Sequence, residues 1–339
     1  MSNNEIEKRK DEHLSICLDK NVQSCLSNGF DEYRLQYNAL PEIDFDSLDL
    51  SVEFFGKKLS SPFLLSAMTG GTQKGKEINQ RLATVAQKMN VAMCVGSQRA
   101  MLKDPSLSDT FAIRDKAPDI LLFANFGAIQ LNNGYAVEHC QHLVDAIGAD
   151  ALVLHLNPLH EAVQPEGDTN FQGLSNNIKT VVDALSVPVI IKEVGCGISG
   201  DVAQRLASLG VGIIDVAGAG GTSFPTVEGY RAGLKDPKIF GQLGIPTAES
   251  IVQVKGALDT ISVIASGGIT NGIDAAKALA LGADLVGFAG VLLGPAMHSD
   301  DLVQKTLERI ATELKVAMFS AGASQITSLR GRVFPSILP

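Results

Sequence analysis

Eight short apolar segments recur along this chain, and segments with a helical pattern lie between them. The apolar segments are continuous rather than alternating, which is typical of strands buried on both faces, as in a parallel sheet. They occupy residues 63–67, 91–95, 120–124, 151–156, 187–192, 212–217, 262–266 and 284–289. Clear helical patterns occupy residues 77–89, 134–148, 199–210 and 272–282. Eight strand–helix units in alternation are the number that closes a parallel sheet into a barrel.

The predicted fold is therefore an α/β fold, a (β/α)8 TIM barrel with an N-terminal extension. The extension comprises residues 1–60, which are charged and poor in glycine, and the barrel comprises residues 61–339. The alternative is an open, doubly wound sheet, which would more naturally carry a glycine fingerprint after its first strand, where this chain has MTGG. After the sixth strand, the polar stretch at residues 222–242 is predicted to form a long loop over the active face.

Composition limits the partners of such a barrel. Of the 339 residues, 45% are hydrophobic and 19% are charged, so a large core can form and global disorder is excluded. The net charge of −9 argues against binding to nucleic acid, which needs a broad basic face. A phosphorylated small molecule is compatible with this charge because it needs only a few local cations.

Cysteine usage and hydropathy bear on where the chain works. The five cysteines are scattered, with no C-x-x-C pair, which predicts a reducing, cytoplasmic environment rather than disulfide bonds or a zinc site. The polar N-terminal segment, MSNNEIEKRKDEH, is unlike a signal peptide. The most apolar stretch, residues 278–297, is interrupted by four glycines, an aspartate and a proline, so it predicts helix, strand and turn rather than a membrane span.

Mostly polar side chains and glycines, with Met68 and Ala289 among them, lie at the ends of the apolar segments, where the catalytic residues of such barrels lie. These residues are Met68 and Thr69, Ser97 to Arg99, Asn125, His155 and Asn157, Lys192 and Glu193, Thr222, Gly267 and Gly268, and Ala289 and Gly290. The glycines of SGGI at 266–269 and GFAG at 287–290 follow the last two strands. Glycines there let backbone N–H groups approach a phosphate, and a following helix N-terminus favours its charge. A phosphate site is therefore predicted, with plain tight turns as the alternative.

Several side chains near these ends have more than one interpretation. Lys192 is either a Schiff-base nucleophile, as in barrel aldolases, or a fixed cation beside an electron-rich ligand. Glu161 is either a solvated carboxylate or a ligand of Mg²⁺ that is shared with substrate phosphate. A zinc site built from His155, His160 and Glu161 fits no standard zinc spacing. The cluster around Arg9 is either solvated or part of an arm that folds over the barrel mouth and clamps a diphosphate.

Taken together, these motifs resemble the type 2 isopentenyl-diphosphate delta-isomerase family of flavin-dependent barrel enzymes. The matching motifs are RKDEH (9–13), SAMTGG (66–71), VGSQR (95–99), HLNP with EAVQPEGD (155–168), IKEVGCG (191–197), AGAGGTSF (217–224), SGGI (266–269) and LGADLVGFAG (281–290). They occur in the family's order and cover nearly the whole chain.

The resemblance implies conversion of isopentenyl diphosphate to dimethylallyl diphosphate by a homo-oligomer, a tetramer or octamer, with FMN, Mg²⁺ and NADPH as reductant. It implies FMN contacts at Ala67, Met68, Thr69, Ser97, Asn125, Lys192, Thr222, Gly267, Gly268, Ala289 and Gly290. It implies substrate contacts at Arg9, Lys10, His13, Ser97, Gln98, Arg99, His155, Asn157 and His160, with Glu161 on Mg²⁺. The candidate catalytic residues are His155, His160 and Lys192.

An alkene is a very weak base and its allylic C–H group a very weak acid, so ordinary side chains suit neither proton transfer. The hypothesis is that N5 of reduced FMN donates and accepts the proton while Lys192 stabilises the reduced ring. The alternative on the same barrel is an FMN-dependent oxidoreductase of the 2-hydroxy-acid oxidase or dihydroorotate dehydrogenase type, which needs neither a basic arm nor a carboxylate for Mg²⁺.

Three positions depart from the family pattern. His160 stands where the family usually has Gln, Ala217 where a Ser often contacts the flavin, and Thr270 where Arg is common. The first change is expected to alter proton handling near the substrate, and the third to remove one phosphate interaction.

Overall fold

A closed barrel of parallel strands forms the centre of the molecule. The structure is a computed structural model that describes residues 3–336, with side chains described from residue 8 onward. Within that range the strands are β1 Tyr33–Leu35, β2 Val52–Phe54, β3 Lys57–Leu59, β4 Phe63–Leu65, β5 Ala92–Cys94, β6 Leu122–Gly127, β7 Ala151–His155, β8 Val189–Lys192, β9 Ile213–Asp215, β10 Ser262–Ala265, β11 Leu285–Phe288 and β12 Val333–Pro335. Strands β4 to β11 close into the barrel in chain order. The predicted (β/α)8 barrel is confirmed.

Helices connect the barrel strands and pack around them. Over residues 3–336 they are α1 Asn3–Asp19, α2 Gln73–Met89, α3 Arg99–Lys103, α4 Val137–Ile147, α5 Pro158–Val163, α6 Leu174–Ala184, α7 Gly200–Ser208, α8 Phe224–Arg231, α9 Thr247–Ala257, α10 Gly272–Ala280, α11 Gly290–His298 and α12 Asp300–Ser320. The four helical patterns in the sequence correspond to α2, α4, α7 and α10. Among the described helices, none combines the length and the apolar character that crossing a bilayer requires.

The barrel strands are buried on both faces, as their continuous apolar sequences predict. Side chains such as Leu64, Phe123 and Ile190 fill the barrel interior, and the opposite faces of the strands pack against the surrounding helices. The register pairs His155 with Lys192, and Lys192 with Asp215, at the carboxyl ends of β7, β8 and β9. Three polar side chains from separate strands therefore reach the same end of the barrel.

The N-terminal extension is distributed over the whole barrel. Helix α1 packs against α3 and α8 at the carboxyl ends of the strands. Strand β1 pairs in antiparallel fashion with β12, near the C-terminus. The β2–β3 hairpin inserts Phe54 and Leu59 into the apolar cluster at the amino end. The division into an arm at 1–60 and a barrel at 61–339 stays a prediction, and residues 1, 2 and 337–339 of it lie outside the described residues.

The predicted long loop at 222–242 is wrong over its first half, which forms helix α8. Ser223 caps this helix by accepting a hydrogen bond from the Thr226 backbone N–H, and Pro225 lies in its first turn. Serine caps and first-turn prolines are standard helix starts. Two polar residues of this stretch, Thr226 and Glu228, are fully buried. A short 3₁₀ turn, Ile239–Gln242, completes the connection before α9.

Candidate active site at the carboxyl ends of the strands

A cavity of about 330 Å³ opens at the carboxyl ends of the barrel strands. Its size is within the range of small-molecule sites. The predicted site residues that line it are Arg9, Lys10, His13, Ala67, Met68, Thr69, Ser97, Arg99, Asn125, His155, Asn157, His160, Glu161, Lys192, Thr222, Gly267, Gly268, Ala289 and Gly290. The structure therefore brings nearly the whole predicted set together around one volume.

Gln98 is the predicted residue that the structure does not bring to this cavity. It is fully buried, and its amide nitrogen donates to the Leu143 carbonyl at 3.1 Å. Its amide oxygen accepts the Asn125 backbone N–H at 2.9 Å. The side chain therefore fixes the end of β6 against helix α4 and does not face a ligand. The sequence predicted that Gln98 lines the site together with its neighbours Ser97 and Arg99. In the structure, the turn into α3 directs the Gln98 side chain into the core instead.

The glycines after β10 form a close backbone crossing with the loop after β9. Gly267 and Gly268 have φ angles of +107° and +72°, values that residues with a side chain rarely adopt. A Cβ on Gly267 would clash with the Gly218 carbonyl, and one on Gly268 with the Gly220 carbonyl. The adjacent wall is the start of α11 at Gly290, whose N-terminal end favours an anion.

Lys192 lies almost fully buried between two oxygen acceptors. Its Nζ donates to the Glu193 carbonyl at 2.7 Å and lies 3.6 Å from Asp215 Oδ2. Asp215 is also buried and accepts a 2.6 Å hydrogen bond from Ser266. This pairing fixes the position of the Lys192 ammonium on the cavity wall. Asp215 was missed from the sequence because it stands inside an apolar run.

Glu193 supports the turn that follows Lys192. Its carboxylate accepts backbone N–H groups of Val194 and Cys196. Burial raises the pKa of Glu193 to about 7, although these hydrogen bonds act in the opposite direction. The residue stabilises the backbone at this edge of the site.

His155 is neutral in this environment. Its Nδ1 lies 2.8 Å from Asn125 Oδ1, while the Asn125 amide nitrogen donates to Cys94 Sγ. Burial, with smaller contributions from His160 and Lys192, lowers the pKa of His155 to about 3. Nδ1 therefore carries the proton, and Nε2 is left as an acceptor on the cavity side. His155 is poorly suited to supply a proton at neutral pH before an anionic ligand binds.

Helix α1 carries a row of basic side chains over the cavity. The Lys10 ammonium donates to the carbonyls of Gly70 and Ser97 and lies 5.0 Å from the centre of the Phe111 ring. Burial, followed by repulsion from Arg9, lowers the pKa of Lys10 to about 7. Arg9 lines the cavity and lies 3.9 Å from Glu166, which follows α5. The basic cluster thus lies over the barrel mouth.

A second polar group lies around Glu161, whose side chain is 6% exposed. Its two oxygens accept hydrogen bonds from Asn157 Nδ2 at 2.8 Å and from the Asp168 N–H at 2.7 Å. Asp168 also pairs with Arg99 at 3.1 Å. Among the described side chains, Asn157 Oδ1 and Arg99 Nε are buried without a hydrogen-bond partner. Buried polar atoms of this kind are costly unless a ligand or water meets them.

Glu228 is the centre of a hydrogen-bond cluster that was not predicted. The carboxylate is fully buried, and Oε1 lies 2.7 Å from His13 Nε2 and 3.2 Å from His160 Nε2. Oε2 accepts from Arg231 at 2.7 Å. Burial acts to raise the pKa of Glu228, but hydrogen bonds from both histidines outweigh it and lower the pKa well below its usual value. The Ser223–Phe224–Pro225 sequence could have predicted the start of α8. It could not have predicted that Glu228 would contact His13, which lies 215 residues away in the chain.

Ala217 and Thr270, the two other positions that depart from the family pattern, also line the cavity. Ala217 has φ +37°, in the left-handed region, and is buried. Strained backbone of this kind is common at functional sites. Thr270 is exposed at the rim, and its carbonyl accepts a hydrogen bond from Arg309.

A closed parallel barrel with a polar cavity at the carboxyl ends of its strands defines the class of (β/α)8 enzymes. Within that class, the FMN-dependent dehydrogenase family matches residues 15–104 and 139–334. A Synechococcus sp. protein named isopentenyl-diphosphate delta-isomerase is 51% identical over 95% of this chain and 94% of its own length. A Rickettsia bellii protein of the same name is 50% identical over 95% of this chain and 96% of its own. The chain belongs to the isopentenyl-diphosphate delta-isomerase family, as its motifs indicated.

Solved structures of more distant proteins share the fold. A variant of flavocytochrome b2 has a TM-score of 0.69 at 15% identity, covering 98% of this chain and 86% of that one. A mandelate oxidase variant has a TM-score of 0.66 at 17% identity, covering 99% and 100% of the two chains. At such identities the likeness shows the barrel architecture alone.

Proposed function

We propose that this chain interconverts isopentenyl diphosphate and dimethylallyl diphosphate, using FMN in its reduced form, Mg²⁺ on the diphosphate, and NADPH as the source of reducing equivalents. The observation that carries the proposal is that one cavity has two separate places for phosphate groups. One is a glycine cradle at Gly267 and Gly268, and the other is a basic rim formed by Arg9, Lys10 and Arg99. This arrangement accommodates a phosphorylated cofactor and a diphosphate substrate at the same time.

The cavity wall fits FMN. The backbone crossing at Gly267 and Gly268 leaves no room for side chains, and the N-terminus of α11 points at the same space. Ala67, Met68 and Thr69 follow β4 and line the neighbouring wall. The cradle would hold the phosphate, and Lys192 would hold positive charge beside the ring. Reduced FMN bound here would supply a proton donor and acceptor for the C=C shift.

The opposite rim fits a diphosphate. Arg9 and Lys10 on α1 and Arg99 on α3 line it. Arg99 Nε is a buried donor without a partner among the described residues, and a phosphate oxygen would satisfy it with a charge-assisted hydrogen bond. These cations convert binding energy into orientation of the five-carbon tail. Helix α1 covers the same volume and limits the access of water to it.

Glu161 fits a Mg²⁺ ion that is shared with the substrate. A buried carboxylate on the cavity wall, with Asn157 Oδ1 beside it, offers the oxygen ligands that Mg²⁺ prefers. Mg²⁺ usually takes one or two protein carboxylates and completes its octahedron with phosphate oxygens and water. The single carboxylate from Glu161 is consistent with that pattern.

The side chains near the reacting carbons have separate roles in this proposal. His155, neutral and held by Asn125, orients the substrate and accepts a hydrogen bond at Nε2 until an anion raises its pKa. His160 lies over the cavity, stacked on Phe224 with ring centres 5.2 Å apart. Lys192 is held in position by Asp215, 3.6 Å away. The chain's own groups thus position and stabilise, while the cofactor carries the proton chemistry.

An oxidoreductase on the same barrel is the second candidate, favoured by the match to the FMN-dependent dehydrogenase family. Such an enzyme would consume one NADPH for each keto or enone substrate reduced. The combination of the basic rim with the buried Glu161 supports the isomerase instead, because flavin oxidation of a 2-hydroxy acid needs no carboxylate for Mg²⁺.

An anaerobic assay separates the two. With isopentenyl diphosphate and Mg²⁺, dithionite-reduced FMN should give dimethylallyl diphosphate without net loss of reductant. Omission of the reductant should abolish turnover. Failure to form product with reduced flavin bound, or stoichiometric oxidation of NADPH by an enone, would contradict the isomerase proposal.

Replacing Glu161 with Gln should raise the Mg²⁺ concentration for half-maximal rate by at least about tenfold, since even groups behind a metal ligand contribute about 10- to 100-fold to affinity. The amide keeps the size of the carboxylate but loses its charge. Glu138→Gln, at an exposed position on α4, is the matched control and should leave the Mg²⁺ titration unchanged. An unaltered titration in Glu161→Gln would assign the metal to other ligands.

Binding of a diphosphate at pH 8 should be accompanied by proton uptake at Lys10. With a pKa of about 7, the free amine is mostly neutral at pH 8, and a nearby anion favours the ammonium form. Calorimetry with inorganic pyrophosphate in buffers of different ionisation enthalpy measures the protons taken up, which should approach one per site. Lys10→Met should abolish this uptake, and uptake that is unchanged in the variant would assign it elsewhere.

The cellular setting and the assembly belong to the same proposal. Cys94 and Cys140 are buried and unpaired among the described residues, which supports a reducing cytoplasm. Leu234, Ile239 and Leu243 are exposed on the connection after α8. Exposed apolar side chains on one connection support association into a homo-oligomer, a tetramer or octamer. Light scattering of the purified protein measures its oligomeric state directly.

A further inference from the structure

The hydrogen-bond cluster around Glu228 has the composition of a metal site. Within the described part of the chain, the ligand atoms of His13, His160 and Glu228 all lie within 4.8 Å of one another. Two imidazoles and one carboxylate are the protein ligands found in catalytic zinc centres, where the fourth position stays open. We propose that these three residues bind a divalent transition-metal ion, such as Zn²⁺, which fastens helix α1 to the rim of the barrel.

The distances need only small adjustments to meet a metal ion. Both Nε2 atoms face the same carboxylate oxygen, at 2.7 Å and 3.2 Å. Ligands of a tetrahedral Zn²⁺ lie about 3.3 Å apart, given bonds of about 2.0 Å. Each ring can offer Nε2 to the metal by carrying its proton on Nδ1. The ligand atoms of His13, His160 and Glu228, all within 4.8 Å of one another, are therefore close enough to meet one ion.

The outer contacts hold the carboxylate in the right orientation. Arg231 binds the other oxygen, Oε2, and leaves Oε1 directed at the two histidines. Arg231 is itself shared with Glu12 and Glu166, so its charge is divided among three carboxylates. Hydrogen bonds behind a ligand fix its orientation and are a regular part of metal sites. Stacking on Phe224 fixes the plane of His160 in the same way.

The three ligands come from three separate elements of the fold. His13 is on α1, His160 on α5 and Glu228 on α8. A bound ion would therefore crosslink helix α1 to helices α5 and α8 at the barrel mouth. This site is distinct from the Mg²⁺ position proposed at Glu161, because nitrogen ligands select Zn²⁺, Co²⁺ or Cu²⁺ over Mg²⁺. Zn²⁺ bound here would inhibit the isomerase, because His13 and His160 also face the diphosphate position. This expectation rests on the proposed function.

Direct binding of Zn²⁺ to the purified full-length flavoprotein tests the site. Competition with a chromophoric chelator should show one tightly bound Zn²⁺ per chain, not displaced by a large excess of Mg²⁺. His160→Gln and His13→Gln should each weaken Zn²⁺ binding by at least about a hundredfold, more than the loss of a supporting group costs. His142→Gln, at an exposed position on α4, is the control and should bind Zn²⁺ as the wild type does.

A second measurement on the wild-type protein does not depend on the folding of variants. Zn²⁺ should protect His13 and His160, but not His142, from modification by diethyl pyrocarbonate, as mapped by mass spectrometry. Absence of tight Zn²⁺ binding, displacement by Mg²⁺, or equal protection of all three histidines would show that the cluster is a hydrogen-bond network only. Because neither readout needs turnover, failure of the isomerase proposal would leave these results unaffected.

Discussion

Lys192→Met should yield a protein that loses its flavin on gel filtration and unfolds at lower urea concentration. Lys192 and Asp215 form a buried pair, with side chains 11% and 2% exposed. Removing one partner of a buried pair leaves an uncompensated charge and costs about 3–5 kcal/mol. Methionine keeps most of the side-chain volume, so the effect reports on charge. The ratio of flavin absorbance to protein absorbance measures flavin retention. The urea midpoint of the flavin-free protein measures stability.

A surface pair of the same chemistry provides the control. Lys179 and Asp183 lie 2.9 Å apart on α6, with both side chains more than half exposed. Exposed pairs one helical turn apart contribute about 0.3–0.5 kcal/mol, so Lys179→Met should retain its flavin and nearly all its stability. Equal behaviour of the two variants would show that Lys192 has no special role as a cation. Borohydride trapping of substrate on Lys192 would favour the aldolase-like alternative.

Gly267→Ala should lower the isomerase rate by about a hundredfold and weaken FMN retention. A misplacement of about one ångström at a reacting group can cost that much. The φ angle of +107° strains any residue with a Cβ, and that Cβ would also lie 2.7 Å from Thr247 Oγ1. The loop after β10 would have to move away from the loop after β9, which opens the phosphate cradle. Flavin titration and anaerobic turnover measure the two effects.

Gly256→Ala is the matched control for this substitution. Gly256 is in helix α9, and a Cβ there would meet no heavy atom within 4 Å. Gly256 is the penultimate residue of α9, where alanine is favoured over glycine by at most about 0.5–1 kcal/mol, so this variant should be at least as stable as the wild type and fully active. Full flavin binding and full activity of Gly267→Ala would instead show that the crossing is no phosphate cradle.

The predicted barrel followed from local rules. Continuous apolar runs such as FLLSA and VPVIIK fit only strands buried on both faces, and their number fits closure. Because the carboxyl ends of all barrel strands meet at one face, residues that follow different strands, such as Asn125, Lys192 and Gly267, were expected to lie near one another. The cavity has all three on its wall.

Two of the errors involve polar residues that are buried against distant partners. Gln98 follows a strand like its neighbours Ser97 and Arg99, yet it points into the core and binds the Leu143 carbonyl. The stretch around Glu228 reads as polar, yet it forms a helix whose carboxylate is fully buried. Hydropathy predicts the burial of neither residue, because a polar side chain can be buried wherever a distant partner satisfies its hydrogen bonds.

The sequence by itself determined the barrel, the face that carries the site and most of the residues on that face. These features depend on short-range sterics and on the apolar periodicity of each segment. Only the tertiary structure decided that Asp215 pairs with Lys192, and that Glu228 joins His13 and His160 beneath helix α1. Such pairings depend on how closure of the barrel and docking of α1 juxtapose groups far apart in the chain, a long-range outcome that no local pattern specifies.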